Sequence, residues 1–78
     1  MENFVVARYL YDQGADGRYV PKVSVQYPGR QGQTERTIIT DPEGRTYRHL
    51  NTALQMDLWL LNQWRRKHAR RLELVITP

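Results

Sequence analysis

Residues 65 to 71 read RRKHARR, so Arg65, Arg66, Lys67, Arg70 and Arg71 place five permanent cations in seven positions, with no acid among them. Such side chains bind phosphates, carboxylates and other anions, and the planar arginine fork suits both groups. The run closes a segment rich in leucine and tryptophan and reads as the C-terminal end of a helix. Cations are favoured there in any protein, because the last helical carbonyls carry partial negative charge; each contact contributes about 0.3–1 kcal/mol. Five cations cannot all bond those carbonyls. The surplus must spread around the helix end and the following turn, which makes a broad positive knob suited to the phosphates of DNA or RNA. Arg30 and Arg36 lie in the polar segment PGRQGQTER (28–36), where cations and glycine amides would add phosphate contacts. The chain has no helix-turn-helix pair, no Cys/His finger and no RNP-type aromatic motif, so contacts to a nucleic-acid backbone are expected to dominate over base readout. An acidic protein surface or anionic lipid is the competing partner for the same charges.

Other chemistry is sparse. Tyr9, Tyr11, Tyr19, Tyr27 and Tyr47 would stack on bases if several shared an open sheet face; in a small sheet they more often serve as core or cross-strand pairs. His49 and His68 are nineteen positions apart, and His68 sits inside the cationic run. Ser24 has no nucleophile-elbow pattern around it. Asp12 and Asp16 lack the spacing and ligand number of a calcium loop. Asp57 is the one acid in an unusual position, within an apolar helix. No phosphate-cradling P-loop is present. The expectation is a protein that is not an enzyme and that uses no cofactor and no metal.

The charge is uneven. Residues 1 to 64 hold seven Lys/Arg and seven Asp/Glu, so the net charge of +4 arises from the run at 65–71 less Glu73. Seventy-eight residues make a single domain, 1–78, whose core is small enough that a homodimer or a partner would stabilise it. There is no cysteine, hence no disulfide and no thiolate, which suits a reducing cytoplasm. The chain opens on Met1, reads as a complete gene product, and carries neither a signal peptide nor the ~20-residue apolar run of a membrane span.

These side chains need elements to hold them. FVVARYLY (4–11) reads as a strand, DQGADG (12–17) as a turn, and RYVPKVSVQY (18–27) as an alternating strand that begins at Pro21 or lies there on an edge. TIIT (37–40) and RTYRHL (45–50) flank the turn signal DPEG and predict a hairpin. A helix follows, capped by Thr52 with Gln55 or by Asn51, and LELVIT (72–77) is a last short strand. The resulting order, β-β-β-β-α-β, predicts an α+β fold: a small antiparallel sheet with one amphipathic helix packed on one face.

On that helix Leu54, Leu58 and Leu61 form one apolar stripe, with Leu58 at its middle and expected in the core. Ala53, Met56, Leu60 and Trp64 form a second. Asp57 lies between the stripes and Trp59 outside both. Either the two stripes straddle the sheet, or one of them meets another chain through Met56, Trp59 and Gln63.

The function expected from these features is binding or regulation of nucleic acid or a nucleoprotein complex through the basic helix end. The alternative is an inhibitor or adaptor, of the kind carried by phages and mobile elements, that docks on a host protein machine such as a defence system. A duplex-mimicking inhibitor would be acidic, and this chain is basic.

Overall fold

The computed structural model describes residues 4–78. Its elements are β1 (Phe4–Gln13), β2 (Tyr19–Pro28), a single 3-10 turn (Arg30–Gly32), β3 (Thr34–Thr40), α1 (Leu50–His68) and β4 (Glu73–Thr77). The strands form one sheet in the order β3-β2-β1-β4, with α1 packed across one face on β2 and β1, an α+β architecture. Among the described residues no helix is long and apolar enough to cross a membrane.

Alternation builds the sheet. Val5, Ala7 and Tyr9 of β1 and Val23, Val25 and Tyr27 of β2 point toward the helix, and the register places Ala7 beside Val25 and Tyr9 beside Val23. The buried core is Val5, Ala7, Val23, Val25, Leu60, Leu61 and Ala69, bordered by Ile39, Trp64, Leu72 and Leu74. A tight turn joins β1 to β2: the Gly14 amide donates to the Arg18 carbonyl at 2.9 Å, and Gly17 adopts φ 79°, a conformation that glycine alone enters without strain. Pro21 lies one residue beyond the last β2–β3 rung, Lys22 with Thr40. Its missing N–H therefore leaves no gap in that ladder, as expected for proline on an edge.

Three expectations about elements change. First, β4 pairs parallel to β1, Phe4 with Glu73 through Arg8 with Thr77, so the sheet is mixed rather than antiparallel throughout. The cause is length: the 19-residue α1 carries the chain back along the whole sheet, so β4 starts at the end where β1 starts. Second, 45–50 is not a strand paired with β3. The DPEG turn forms, with the Gly44 amide on the Asp41 carbonyl at 3.0 Å and Gly44 at φ 65°. After it, however, Tyr47 exchanges two backbone bonds with Tyr19, at 2.7 and 2.9 Å. The edge of β2 beyond Thr40 has open donors and acceptors, and Tyr47 takes them. Third, α1 starts at Leu50 behind His49 with no side-chain cap. Thr52 and Gln55 both lie inside the helix, so the capping box does not form.

The helix buries Ala53, Asp57, Leu60 and Leu61. The two apolar stripes thus straddle the sheet with Asp57 at their centre. Leu58 is 46% exposed, contrary to its expected core position, because it lies on the outer flank of the leucine stripe.

A candidate basic interface

The ends of the sheet differ in charge. At one end β2 finishes, the 3-10 turn follows, β3 begins, α1 ends and β4 starts. Tyr27 of β2 meets Trp64 at 5.1 Å between ring centroids, and Trp64 meets His68 at 5.4 Å, which seats the last helical turns over this end of the sheet. Arg30 and His68 line the same open cleft with Tyr27 and Leu72. The structure therefore brings Arg30 and Arg36 to the pole that carries Arg65, Arg66, Lys67, Arg70 and Arg71, although 28 residues lie between Arg36 and Arg65 in sequence.

The seven cations differ in their roles. Arg65 is half-buried and donates from Nη2 to the Leu72 carbonyl at 2.8 Å, tying the helix end to the turn before β4. Its Nε is buried without a partner. Arg66, Lys67, Arg70 and Arg71 are exposed. Lys67 turns toward the β3 side, where it lines a groove with Trp64 and Gln63. Arg30 is exposed on the 3-10 turn, next to Gln31 and Gly32 at φ 63° and 76°. Arg36 lies on β3 rather than in a loop, because the strand already begins at Thr34. Its guanidinium donates to the side-chain oxygen of Gln26, its rung partner, on the sheet face opposite the helix.

Among the described residues every ion pair lies elsewhere. Lys22 pairs with Asp12 at 2.9 Å, and Arg45 pairs with Asp41 at 2.7 Å and with Glu43 at 3.2 Å. The Arg45 guanidinium and the Glu43 amide hold the Asp41 carboxyl below the usual carboxylate range. Asp12, Asp16, Asp41 and Glu43 sit at the opposite end, around the β1–β2 turn and the DPEG turn. A ten-residue strand spans roughly 33 Å, and the molecule measures 43 × 22 × 19 Å. That separation is several times the ~8–10 Å screening length at physiological salt, so those distal acids do not neutralise the basic pole. Glu35 and Glu73 lie at the pole itself, with no ion pair to its cations among the described residues.

The tyrosines do not supply a stacking face. Tyr9, Tyr11, Tyr19 and Tyr27 all fall on the helix side of the sheet, with Tyr11 and Tyr19 edge to face at 5.5 Å. The aromatic on the open side is Phe4, 39% exposed, alongside Val6, Gln26 and Arg36. Sequence reasoning missed Phe4 because FVV looks buried on both faces. The available signal was the parity of β1, which sets Phe4, Val6 and Arg8 against Val5, Ala7 and Tyr9.

A second surface flanks the helix on the β3 side. Trp59 is 45% exposed and lines a groove with Gln63, Trp64, Ile39 and Pro42. Met56, half-buried, lies one turn earlier on that flank. The Arg45 guanidinium sits 5.8 Å from the Trp59 ring, a cation–π contact that ties the DPEG turn to the helix.

Asp57 is fully buried, and neither carboxylate oxygen has a hydrogen-bond partner. Burial pushes its pKa up to about 7, while the nearby backbone amides of Leu10 and Lys22 pull the other way. Tyr9, facing it from β1, is raised by its own burial and by the Asp57 charge. A carboxyl with this shift resembles a catalytic acid, but it is enclosed between helix and sheet with no exposed surface.

No known protein family, curated protein or solved structure matches the chain.

Proposed function

We propose that the chain is a small non-enzymatic binding protein of the cytoplasm that engages nucleic acid, alone or within a nucleoprotein complex, through its basic pole. The observation that carries this reading is the convergence of Arg30, Arg36, Arg66, Lys67, Arg70 and Arg71 on one end, with no ion pair to any of them among the described residues. A helix end needing only solubility would not gather two arginines from the β2–β3 connection and β3 as well. The cations are arranged around a rim rather than along a groove-reading helix, so phosphate contacts supply the affinity and carry little sequence information.

Binding should fall steeply with salt. Five neutralised phosphates on duplex DNA give a slope of log K against log salt near roughly −4 to −5. Changing Arg66, Arg70 and Arg71 to Gln should flatten the slope by roughly 2 to 3, and sparing Arg65 keeps its bond to Leu72. Absence of binding at low salt, or a slope untouched by the triple change, defeats the reading.

The groove under Trp59 favours a second reading, an inhibitor or adaptor that docks on a host protein machine, or a homodimer. An exposed tryptophan beside half-buried Met56 and Gln63 has the composition of a binding hot spot. On this reading Trp59→Ala abolishes a dimer in light scattering, or a protein captured after nuclease treatment, without lowering the stability by more than the ~1 kcal/mol of the Arg45 contact. A strict monomer whose captured proteins are the same with and without Trp59→Ala removes it.

A further inference from the structure

Among the described residues nothing covers the sheet face opposite the helix. It carries Phe4, Val6, Leu10, Ile38 and Val75, with Phe4, Ile38 and Val75 at 39%, 50% and 41% exposure. Charged residues are interleaved with these apolar residues: Arg8 on β1 and Arg36 on β3 have no ion pair among the described residues, Lys22 on β2 is paired with Asp12 of β1, and Glu73 of β4 is the rung partner of Phe4. At the basic end a hollow opens between the start of β1 and the 3-10 turn, lined by Phe4, Val6, Gln26, Pro28, Gly32 and Gln33. It joins an apolar ring to two side-chain amides, and Arg36 stands on its border against Gln26.

We infer that this open face binds single-stranded nucleic acid, with an unpaired base stacked on Phe4 in the hollow and its flanking phosphates on Arg36 and Arg30. The inference rests on the basic-pole reading and adds the class of strand that the pole selects. Three features favour a single strand. A base has an apolar π-face and polar edges, which the ring of Phe4 and the amides of Gln26 and Gln33 complement. In a duplex, bases are stacked on one another and cannot lie on a protein ring without unpairing. Arg8 and Arg36, the cations of this face without an ion pair among the described residues, are spaced along the sheet among apolar residues. A flexible strand can place successive phosphates on such an array while its bases cover the apolar ground between them.

The test measures binding of fluorescein-labelled 12-nucleotide single strands, as DNA and as RNA, and of the 12-base-pair DNA duplex of the same sequence, all at low salt. Wild type should bind the single strands more tightly than the duplex. Phe4→Leu keeps the apolar contact of this partly exposed side chain but removes the π-face; it should weaken single-strand binding at least about fivefold and leave duplex binding within about twofold. Phe4→Trp should restore single-strand affinity, and the thermal midpoints of both variants check that the fold is kept. A preference for RNA over DNA, or the reverse, supports the inference equally and identifies the sugar. Duplex binding that equals or exceeds single-strand binding, or loss of both alike in Phe4→Leu, overturns the stacking inference while the basic pole stands. Binding to neither form overturns both. Light scattering that finds a dimer broken by Val75→Glu, with single-strand binding unchanged by Phe4→Leu, assigns the face to a second copy and overturns the inference.

Discussion

Asp57→Asn is expected to stabilise the protein by about 2–4 kcal/mol at pH 8 and to change it by less than about 1 kcal/mol at pH 4.5. Asp57 is enclosed and unpartnered, and its carboxyl is pushed from 3.8 to about 7 in the folded state. The folded protein therefore holds this proton at pH values where the unfolded chain has released it. The group costs nothing below the unfolded value. Its cost grows as pH rises through the interval from about 4 to 7, and is constant above the folded value. Three pKa units at ~1.4 kcal/mol each set a ceiling of roughly 4 kcal/mol. Asparagine leaves a similar neutral polar group in the same space, so it removes the cost of ionisation and little else. Asp41 acts in the opposite sense: Arg45 lowers its pKa, so its contribution is present above the usual carboxylate range and is lost at lower pH, outside this window. Urea midpoints of both proteins at the two pH values provide the check. An equal difference at pH 4.5 and pH 8 would show that Asp57 ionises freely in the fold.

Leu61→Ala should cost about 2–5 kcal/mol, whereas Leu58→Ala should cost less than about 1 kcal/mol. Both leucines belong to the same stripe of α1, but Leu61 is fully buried against Val5, Val23 and Val25 while Leu58 is 46% exposed. In a domain of this size the larger loss is a substantial part of the total stability and would leave much of the population unfolded. Equal shifts in the urea midpoint for the two variants would mean that the helix is turned about its axis from the orientation described. The contrast matters for function, because the same rotation decides whether Trp59 and Met56 reach the groove beside Ile39 and whether Lys67 and Arg66 reach solvent.

Local pattern alone determined a good deal of this protein. Alternation of Val23, Val25 and Tyr27 with Lys22, Ser24 and Gln26 identifies β2 and its two faces, because side chains on a strand point to opposite sides in turn. The 3.6-residue apolar period in a stretch without Gly or Pro identifies the helix, and its two apolar stripes put Asp57 between them; that both stripes face the sheet was decided by packing. The cations at 65–71 mark the charged end, since residues 1–64 sum to zero.

Tertiary structure decided the rest. Strand pairing depends on where the chain returns after a long excursion: α1 is long enough to deliver β4 beside β1 in the parallel sense, and Tyr47 bonds β2 because β3 stops at Thr40 and leaves that edge open. A turn signal such as DPEG specifies local φ and ψ but says nothing about which edge the following residues will meet. Charge density shows the same divide. Arg30 and Arg36 look like isolated loop residues in the sequence; the register of β2 with β3 and the seating of Trp64 on Tyr27 bring them to the helix end. Local propensity acts over a few residues, whereas a binding surface is assembled by contacts between segments distant in sequence, and only the packed sheet and helix specify those.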